Sequence, residues 1–285
     1  MLGARLKITV YERQHRSALL DLTCCSRWVH KHLDWHETGQ WLDGGMGQVL
    51  LAWNNDKLEG YIGLSEPIAG WSWIRLLGIR DGTMPGMVVR ELCEAAEFRC
   101  AEQGISNIVI LMTTNWLPAY FRERGFSHEE DLITMARIGL QLPPAPTVSA
   151  RIRKAQEPDV AAMATIDRLA FEAPWQLADY DMRQAFRTAT SATVATLDDE
   201  TVAYQLSTRQ EEIGHLARLA VHPAHRRKRI ASALLHQMLT ESKRRNLTEL
   251  SVNTQSGNWQ SQRLYERYGF YRNGYDIELW RKQIG

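Results

Sequence analysis

Apolar positions in the second half of the chain change period several times, and each change marks an element. Ile230, Ala233, Leu234, Met238 and Leu239 recur at helical spacing beside polar His236, Gln237, Glu241, Lys243 and Arg244. That stripe predicts an amphipathic helix reaching Asn246. Leu247 to Thr254 is apolar and β-branched and predicts a strand, followed by a helix over 258–268 and a strand over 270–281. Upstream, the pattern predicts a strand near 150–154, two helices across 158–188 and strands near 191–197, 201–208 and 213–222. This mixed order predicts an α/β sandwich around a central sheet.

The first half repeats the plan. Trp73–Asp81 corresponds to His215–Pro223; a helix over 87–103, a strand over 105–112 and the segment Trp116–Phe126 then mirror the later elements. These matches in one order indicate an internal duplication. Between the copies, Leu142-Pro-Pro-Ala-Pro-Thr147 resists helix and sheet. It predicts a linker over 142–149 between domains 1–141 and 150–285, and 285 residues suit two cores.

Composition narrows the class. With 44% hydrophobic and 24% charged residues and a mean hydropathy of −0.36, the chain reads as globular and not as disordered or membrane-spanning. Met1–Val10 carries only a short apolar alternation, so no targeting segment is expected and the cytoplasm is the default. Cys24, Cys25, Cys93 and Cys100 lack metal-ligand spacing, so they are expected to be reduced, with no metal site. The net charge of +1 argues against a globally basic nucleic-acid binder. Residues 1–146 hold 14 Lys and Arg against 17 Asp and Glu, and the remainder 20 against 16, so the basic excess lies in the second half.

That excess is concentrated in Leu219-Ala-Val-His-Pro-Ala-His-Arg-Arg-Lys-Arg-Ile-Ala231, which reads as strand, basic loop and helix start. Unpaired amides and the macrodipole at a helix start attract phosphate, and Arg226, Arg227, Lys228 and Arg229 add formal charge. A solvated basic face is the plainer alternative. Downstream stands Asn258-Trp-Gln-Ser-Gln-Arg-Leu-Tyr265-Glu-Arg-Tyr-Gly269-Phe270.

Together these segments resemble the acetyl-CoA-dependent N-acetyltransferases of the GNAT superfamily. Their patterns are Gln/Arg-x-x-Gly-x-Gly/Ala and Asn-x-x-(Ala/Ser)-x-x-Leu-Tyr-x-x-x-Gly-Phe. Arg226, Ala231, Asn258, Ser261, Leu264, Tyr265, Gly269 and Phe270 match in order, while Arg229 stands where the family usually has glycine, a residue that allows positive φ and close approach to a ligand. With the duplication, the resemblance implies two tandem GNAT-like domains, each a mixed central sheet flanked by helices. It also implies that acyl-CoA wedges where two parallel strands part.

For the second half the resemblance implies Tyr265 as the acid that protonates the departing sulfur. It implies backbone contacts to acetyl-CoA from Leu219, Ala220, Val221, Ile230 and Ala231, and further contacts from Asn258, Ser261 and Arg226–Arg229. Read without the motif, Leu219 and Val221 are strand core, Asn258 is a helix cap and Tyr265 a core tyrosine. In the amino-terminal protein acetyltransferases, which this half resembles through Phe171–Trp175, a glutamate on the strand before the Asn motif often serves as base, and Ser251 stands at that position. His215 is the first candidate base, ahead of Glu211, Glu212, Asp276 and Glu278.

In the first half Phe121 stands opposite Tyr265, and Gly82–Met87 lacks every basic residue. That half is expected to be degenerate, although Tyr120, one position away, would restore a hydroxyl if the register shifted. The acceptor is expected to be an amine on a small molecule or a protein N-terminus, and Phe171-Glu-Ala-Pro-Trp175 resembles the amino-terminal acetyltransferases of ribosomal-protein-alanine type. Phe171, Trp175, Trp35 and Trp41 are candidates for lining its cleft, with a core role as the alternative. Two other readings stay open: a noncatalytic acyl-CoA-binding or scaffolding module, and salt-dependent nucleic-acid contact through Arg226–Arg229. Oligomeric state has no signal in the sequence.

Overall fold

Strand pairing in the computed structural model, which describes residues 5–210 and 212–285, builds two compact units. Unit 1 comprises Met1–Glu130 with Glu278–Gly285, and unit 2 comprises Asp131–Ile277. Along the chain come β1 (Lys7–Val10), α1 (Arg16–Cys25), β2 (Trp28–Lys31), α2 (Thr38–Asp43), β3 (Gly47–Asn54), β4 (Lys57–Ser65), β5 (Trp71–Ile79), α3 (Pro85–Glu102), β6 (Asn107–Leu111) and α4 (Leu117–Glu123). β7 (Ser127–Ile138), β8 (Arg151–Lys154), α5 (Val160–Ala170), α6 (Asp179–Thr188), β9 (Ser191–Leu197), β10 (Glu200–Gln210) and β11 (Ile213–Val221) follow. The chain continues with α7 (Ile230–Arg244), β12 (Glu249–Gln255), α8 (Trp259–Arg267), β13 (Tyr271–Arg272) and β14 (Ile277–Gln283).

Unit 1 has the strand order β1-β3-β4-β5-β6-β14, with β2 on β5; unit 2 has β7-β12-β11-β10-β9-β8, with β13 on β7. Among the described residues, β5 pairs with β6 and β11 with β12 in parallel. Each sheet packs its apolar face on a long helix, α3 after β5 and α7 after β11: α3 buries Val88, Leu92 and Ala96 against Ile62, Leu77 and Ile79. In unit 2, Leu235, Met238 and Leu239 of α7 meet Leu216, Leu250 and Val252. Cys93 and Cys100 are buried in the α3 core, whereas Cys24 and Cys25 are exposed.

The duplication is visible in local detail. Helices α4 and α8 both end on a glycine with positive φ, Gly125 (79°) and Gly269 (83°). The following phenylalanine amide, Phe126 or Phe270, returns to the carbonyl of Phe121 or Tyr265 at 3.1 Å. Only glycine takes that left-handed turn without penalty, which is why Gly-Phe closes both copies.

The domain boundary expected at 142–149 is not where the units divide. The proline run lies inside unit 2, held where Arg137 donates to the carbonyls of Gly139 (2.7 Å) and Gln141 and where His236 meets the carbonyl of Pro143 at 3.1 Å. β7, the last strand of the first sequence copy, pairs with β12 through Leu132–Ile138. The strand expected over 270–281 is broken at Gly274 (φ 83°). Its first part, β13, pairs with β7, and its second, β14, pairs with β6 from Leu279↔Leu111 to Gln283↔Asn107. Each copy thus takes its final strand from the other.

Candidate active site

The site in unit 2 begins where two parallel strands part. β11 and β12 pair over Ile213↔Glu249, Gly214↔Leu250, His215↔Ser251 and Leu216↔Val252, and pairing ends there although both strands continue. A bulge at Ala217 starts the divergence, because Leu206 faces Arg218 while the adjacent Ser207 faces Leu216. His222 donates to the Val202 carbonyl at 2.9 Å, which fixes the alternation. Ala220 and Arg218 direct their backbone groups to β10, and Leu219 and Val221 direct theirs to the opening. Ala220, expected among the backbone ligands, therefore faces the wrong strand. Among the described residues no strand pairs with β11 along the edge that Leu219 and Val221 present.

The same divergence occurs in unit 1 and is closed there. β5 and β6 pair only over Trp71↔Asn107, Ser72↔Ile108 and Trp73↔Val109, with the bulge at Arg75. Beyond it, β2 runs antiparallel along the parted edge: Trp28 faces Ile79 and His30 faces Leu77. Leu77 and Ile79 correspond to Leu219 and Val221, so the amides left open in unit 2 are satisfied in unit 1 by the chain itself. Phe121 is fully buried against Phe126, with ring centroids 5.0 Å apart. Tyr120 packs on Trp28 and Trp116 at 6.4 and 6.2 Å, so it holds the wall of this closed slot and does not take the place of Phe121.

After the opening in unit 2, His222 caps a single 3₁₀ turn, its Nδ1 accepting from the Ala224 amide at 3.2 Å. The basic loop follows. Arg227 and Arg229 both have left-handed backbones, with φ of 63° and 60°. Arg229, where the family pattern has glycine, thus adopts the conformation glycine favours, at a cost of about 1–2 kcal/mol for an L-residue. The first bond into α7 is donated by Ala233 to the Arg229 carbonyl at 3.1 Å, so the amides of Ile230, Ala231 and Ser232 precede the ladder. Arg226 Nη2 donates to the Ala170 carbonyl at 3.1 Å, tying the loop to the end of α5. Arg227, Lys228 and Arg229 line a cavity of about 330 Å³ with Thr147–Ala150, Leu197 and Ile230.

On α8, Tyr265 is buried, and burial pushes its phenol up to about 12, against a smaller opposing pull from the Ser261 hydroxyl. It therefore stays a proton donor throughout the neutral range. Asn258 Oδ1 accepts from the Ser261 amide at 3.2 Å and caps α8. At the throat of the opening His215 Nδ1 meets Ser251 Oγ at 2.8 Å.

The remaining base candidates are committed or misplaced. The Asp276 carboxyl is lowered from its ordinary value, first by Arg272 and also by the Thr134 amide. Glu212 pairs with Arg209 at 3.0 Å. Glu278 belongs to unit 1 and accepts from Trp280 Nε1 at 2.6 Å. Glu211 lies outside the described residues. Trp35 and Trp41 are buried in unit 1, where Trp41 packs with Leu19 and Leu51 as core.

Residues 160–270 match the acetyltransferase (GNAT) family. They form a GNAT domain. No curated relative matches the chain at the level of sequence. Among solved structures, a GCN5-related N-acetyltransferase from Sphaerobacter thermophilus is 17% identical, with a TM-score of 0.61 over 100% of this chain and 97% of that one. A tandem GNAT protein from the clavulanic acid biosynthesis pathway is 13% identical, with a TM-score of 0.65 over 98% and 99%. A GCN5-related N-acetyltransferase from Anabaena variabilis is 11% identical, with a TM-score of 0.69 over 99% of this chain and 73% of that one. The whole chain thus has the tandem GNAT fold, and its GNAT domain belongs to a family of acyltransferases.

The GNAT domain also contains a cluster that the sequence pattern did not single out. Asp167 is fully buried and accepts from Arg218 Nε at 2.8 Å, Arg218 Nη2 at 3.0 Å, the Leu177 amide at 2.8 Å and the Tyr204 hydroxyl. Burial first, then Asp167, raises the Tyr204 phenol well above its ordinary value. The available signal was Asp167 itself, an acid beside Val160, Met163, Ala164 and Ile166 on the buried face of α5. Among the described residues no group of three or more His, Cys, Asp or Glu side chains is arranged to hold a metal, and no helix is long and apolar enough to cross a membrane.

Proposed function

We propose that the GNAT domain transfers an acetyl group from acetyl-CoA directly to a primary amine, and that unit 1 is a closed, noncatalytic copy. The observation that carries this reading is the open edge of β11, set against the filled edge of β5. Acetyl-CoA supplies the acyl group. Leu219 and Val221 offer backbone groups to its thioester and pantetheine arm, while Ile230 and Ala231 offer amides, and Arg227–Arg229 charge, to its phosphates. The Leu219 amide stabilises the charge that develops on the carbonyl oxygen. His215 takes the proton from the acceptor amine, and Tyr265, protonated at neutral pH, gives one to the departing sulfur.

The segment Phe171–Trp175 favours a peptide N-terminus as acceptor over a small amine. The reading sets the reaction in the cytoplasm, with no membrane or nucleic-acid partner. Calorimetry with acetyl-CoA and CoA release on adding amines test it: binding and release are expected, with Tyr265→Phe lowering kcat by about 100-fold or more. Absence of acetyl-CoA binding would remove the reading. Binding without release across peptides, polyamines and amino sugars would favour a noncatalytic acyl-CoA module.

A further inference from the structure

The buried Asp167–Arg218 pair joins the two sides of the proposed site. Arg218 is the residue before Leu219, whose amide faces the opening. Its guanidinium also donates to the Trp175 carbonyl and lies under the Phe171 ring, 3.7 Å from the centroid. Asp167 receives that guanidinium in a bidentate pair and takes the Leu177 amide as well. One ion pair therefore ties the donor strand to the whole segment between α5 and α6.

A buried ion pair is a poor device for stability alone, since apolar residues of similar size serve as well or better. Unit 1 contains that simpler solution. At the corresponding places Thr23 meets the Tyr61 hydroxyl at 2.7 Å, and Leu76, opposite Gly63 just past the bulge, replaces Arg218. The closed copy has no acceptor to position.

We infer that Asp167 and Arg218 are positioning residues that hold Phe171–Leu177 against the open edge of β11 and so set where the acceptor amine sits. This rests on the acetyltransferase reading. The double variant Asp167→Thr with Arg218→Leu copies unit 1 and leaves the Tyr204 hydroxyl a partner. In hydrogen exchange, acetyl-CoA is expected to slow amides in both Ile230–Ala233 and Phe171–Leu177 of the unaltered protein, but only the former in the double variant. With the peptide, polyamine or amino sugar that releases CoA fastest, kcat/KM for the amine is expected to fall about 100-fold while the Kd for acetyl-CoA moves less than about twofold.

Undiminished kcat/KM, or unchanged protection of Phe171–Leu177, overturns the inference. If acetyl-CoA protects nothing in the unaltered protein, the acetyltransferase reading fails instead; exchange at Leu177 without ligand then decides, an unchanged rate in the double variant counting against the positioning role and a faster one for it. Should the double variant not fold, Arg218→Lys serves: it keeps the charge, loses the planar fork, and is expected to show the same split between amine and acetyl-CoA to a smaller degree.

Discussion

His215 Nδ1 and Ser251 Oγ are 2.8 Å apart at the register pair just before the last one that β11 and β12 share. Ser251 occupies the position where the resemblance implies a glutamate, and its hydroxyl meets the imidazole there. His215→Gln is expected to lower kcat by about 100-fold, and Ser251→Ala by about tenfold, with little change in acetyl-CoA affinity. Steady-state rates over a range of pH check this. Full activity in His215→Gln would place proton removal elsewhere.

One acetyl-CoA should bind per chain, because the corresponding edge in unit 1 is bonded to β2. Leu219→Pro removes an amide that faces the opening and costs no bond to β10. Calorimetry is expected to give a stoichiometry of one for the unaltered protein and no measurable binding for Leu219→Pro, with circular dichroism showing that its sheet is retained. A stoichiometry of two would mean that β2 yields to the ligand.

Arg229→Gly should raise stability. The left-handed backbone of Arg229 (φ 60°) is natural for glycine, and the gain is expected to be about 1 kcal/mol, or roughly 3 °C in melting temperature. The same change removes a charge from the loop, so acetyl-CoA affinity should weaken and become less dependent on salt. Thermal denaturation and calorimetry at two salt concentrations separate the effects.

Burial pushes the phenols of Tyr61 and Tyr265 up to about 12. A raised folded-state value means that the folded protein keeps a proton the unfolded chain loses. Their contribution is therefore fully present below pH 10 and is lost as pH rises through about 12, worth about 3 kcal/mol for each group. Denaturant titrations between pH 9 and 12 should show this fall. Ultraviolet titration should find that Tyr61, Tyr204 and Tyr265 ionise only as the protein unfolds. Early ionisation of all nine tyrosines would contradict the burial described.

What was legible in the sequence was local. The stripe Ile230–Leu239 specifies its own helix, and the Gly-Phe turns specify how α4 and α8 end, so the alignment of Tyr265 with Phe121 could be read directly. The positive φ of Arg229 was implied by the glycine it replaces. The exchange of β7 and β14 was not legible, because hydrophobic period says which face a strand buries and nothing about which sheet receives its edge. β2 was missed for a related reason: Trp28–Lys31 is four residues long, too short to show a period. Asp167 interrupts the apolar face of α5, and no local pattern points to its partner Arg218, 51 residues away.

The placement of β14 bears on how the protein emerges from the ribosome. Synthesis is vectorial, and the strand that flanks β6 is translated only after all of unit 2. Unit 1 must therefore wait, its parallel strand exposed on one side, until its neighbour in sequence has been made. Its final closure is a late, long-range event, and the nascent chain needs protection from intermolecular pairing along that edge in the interval.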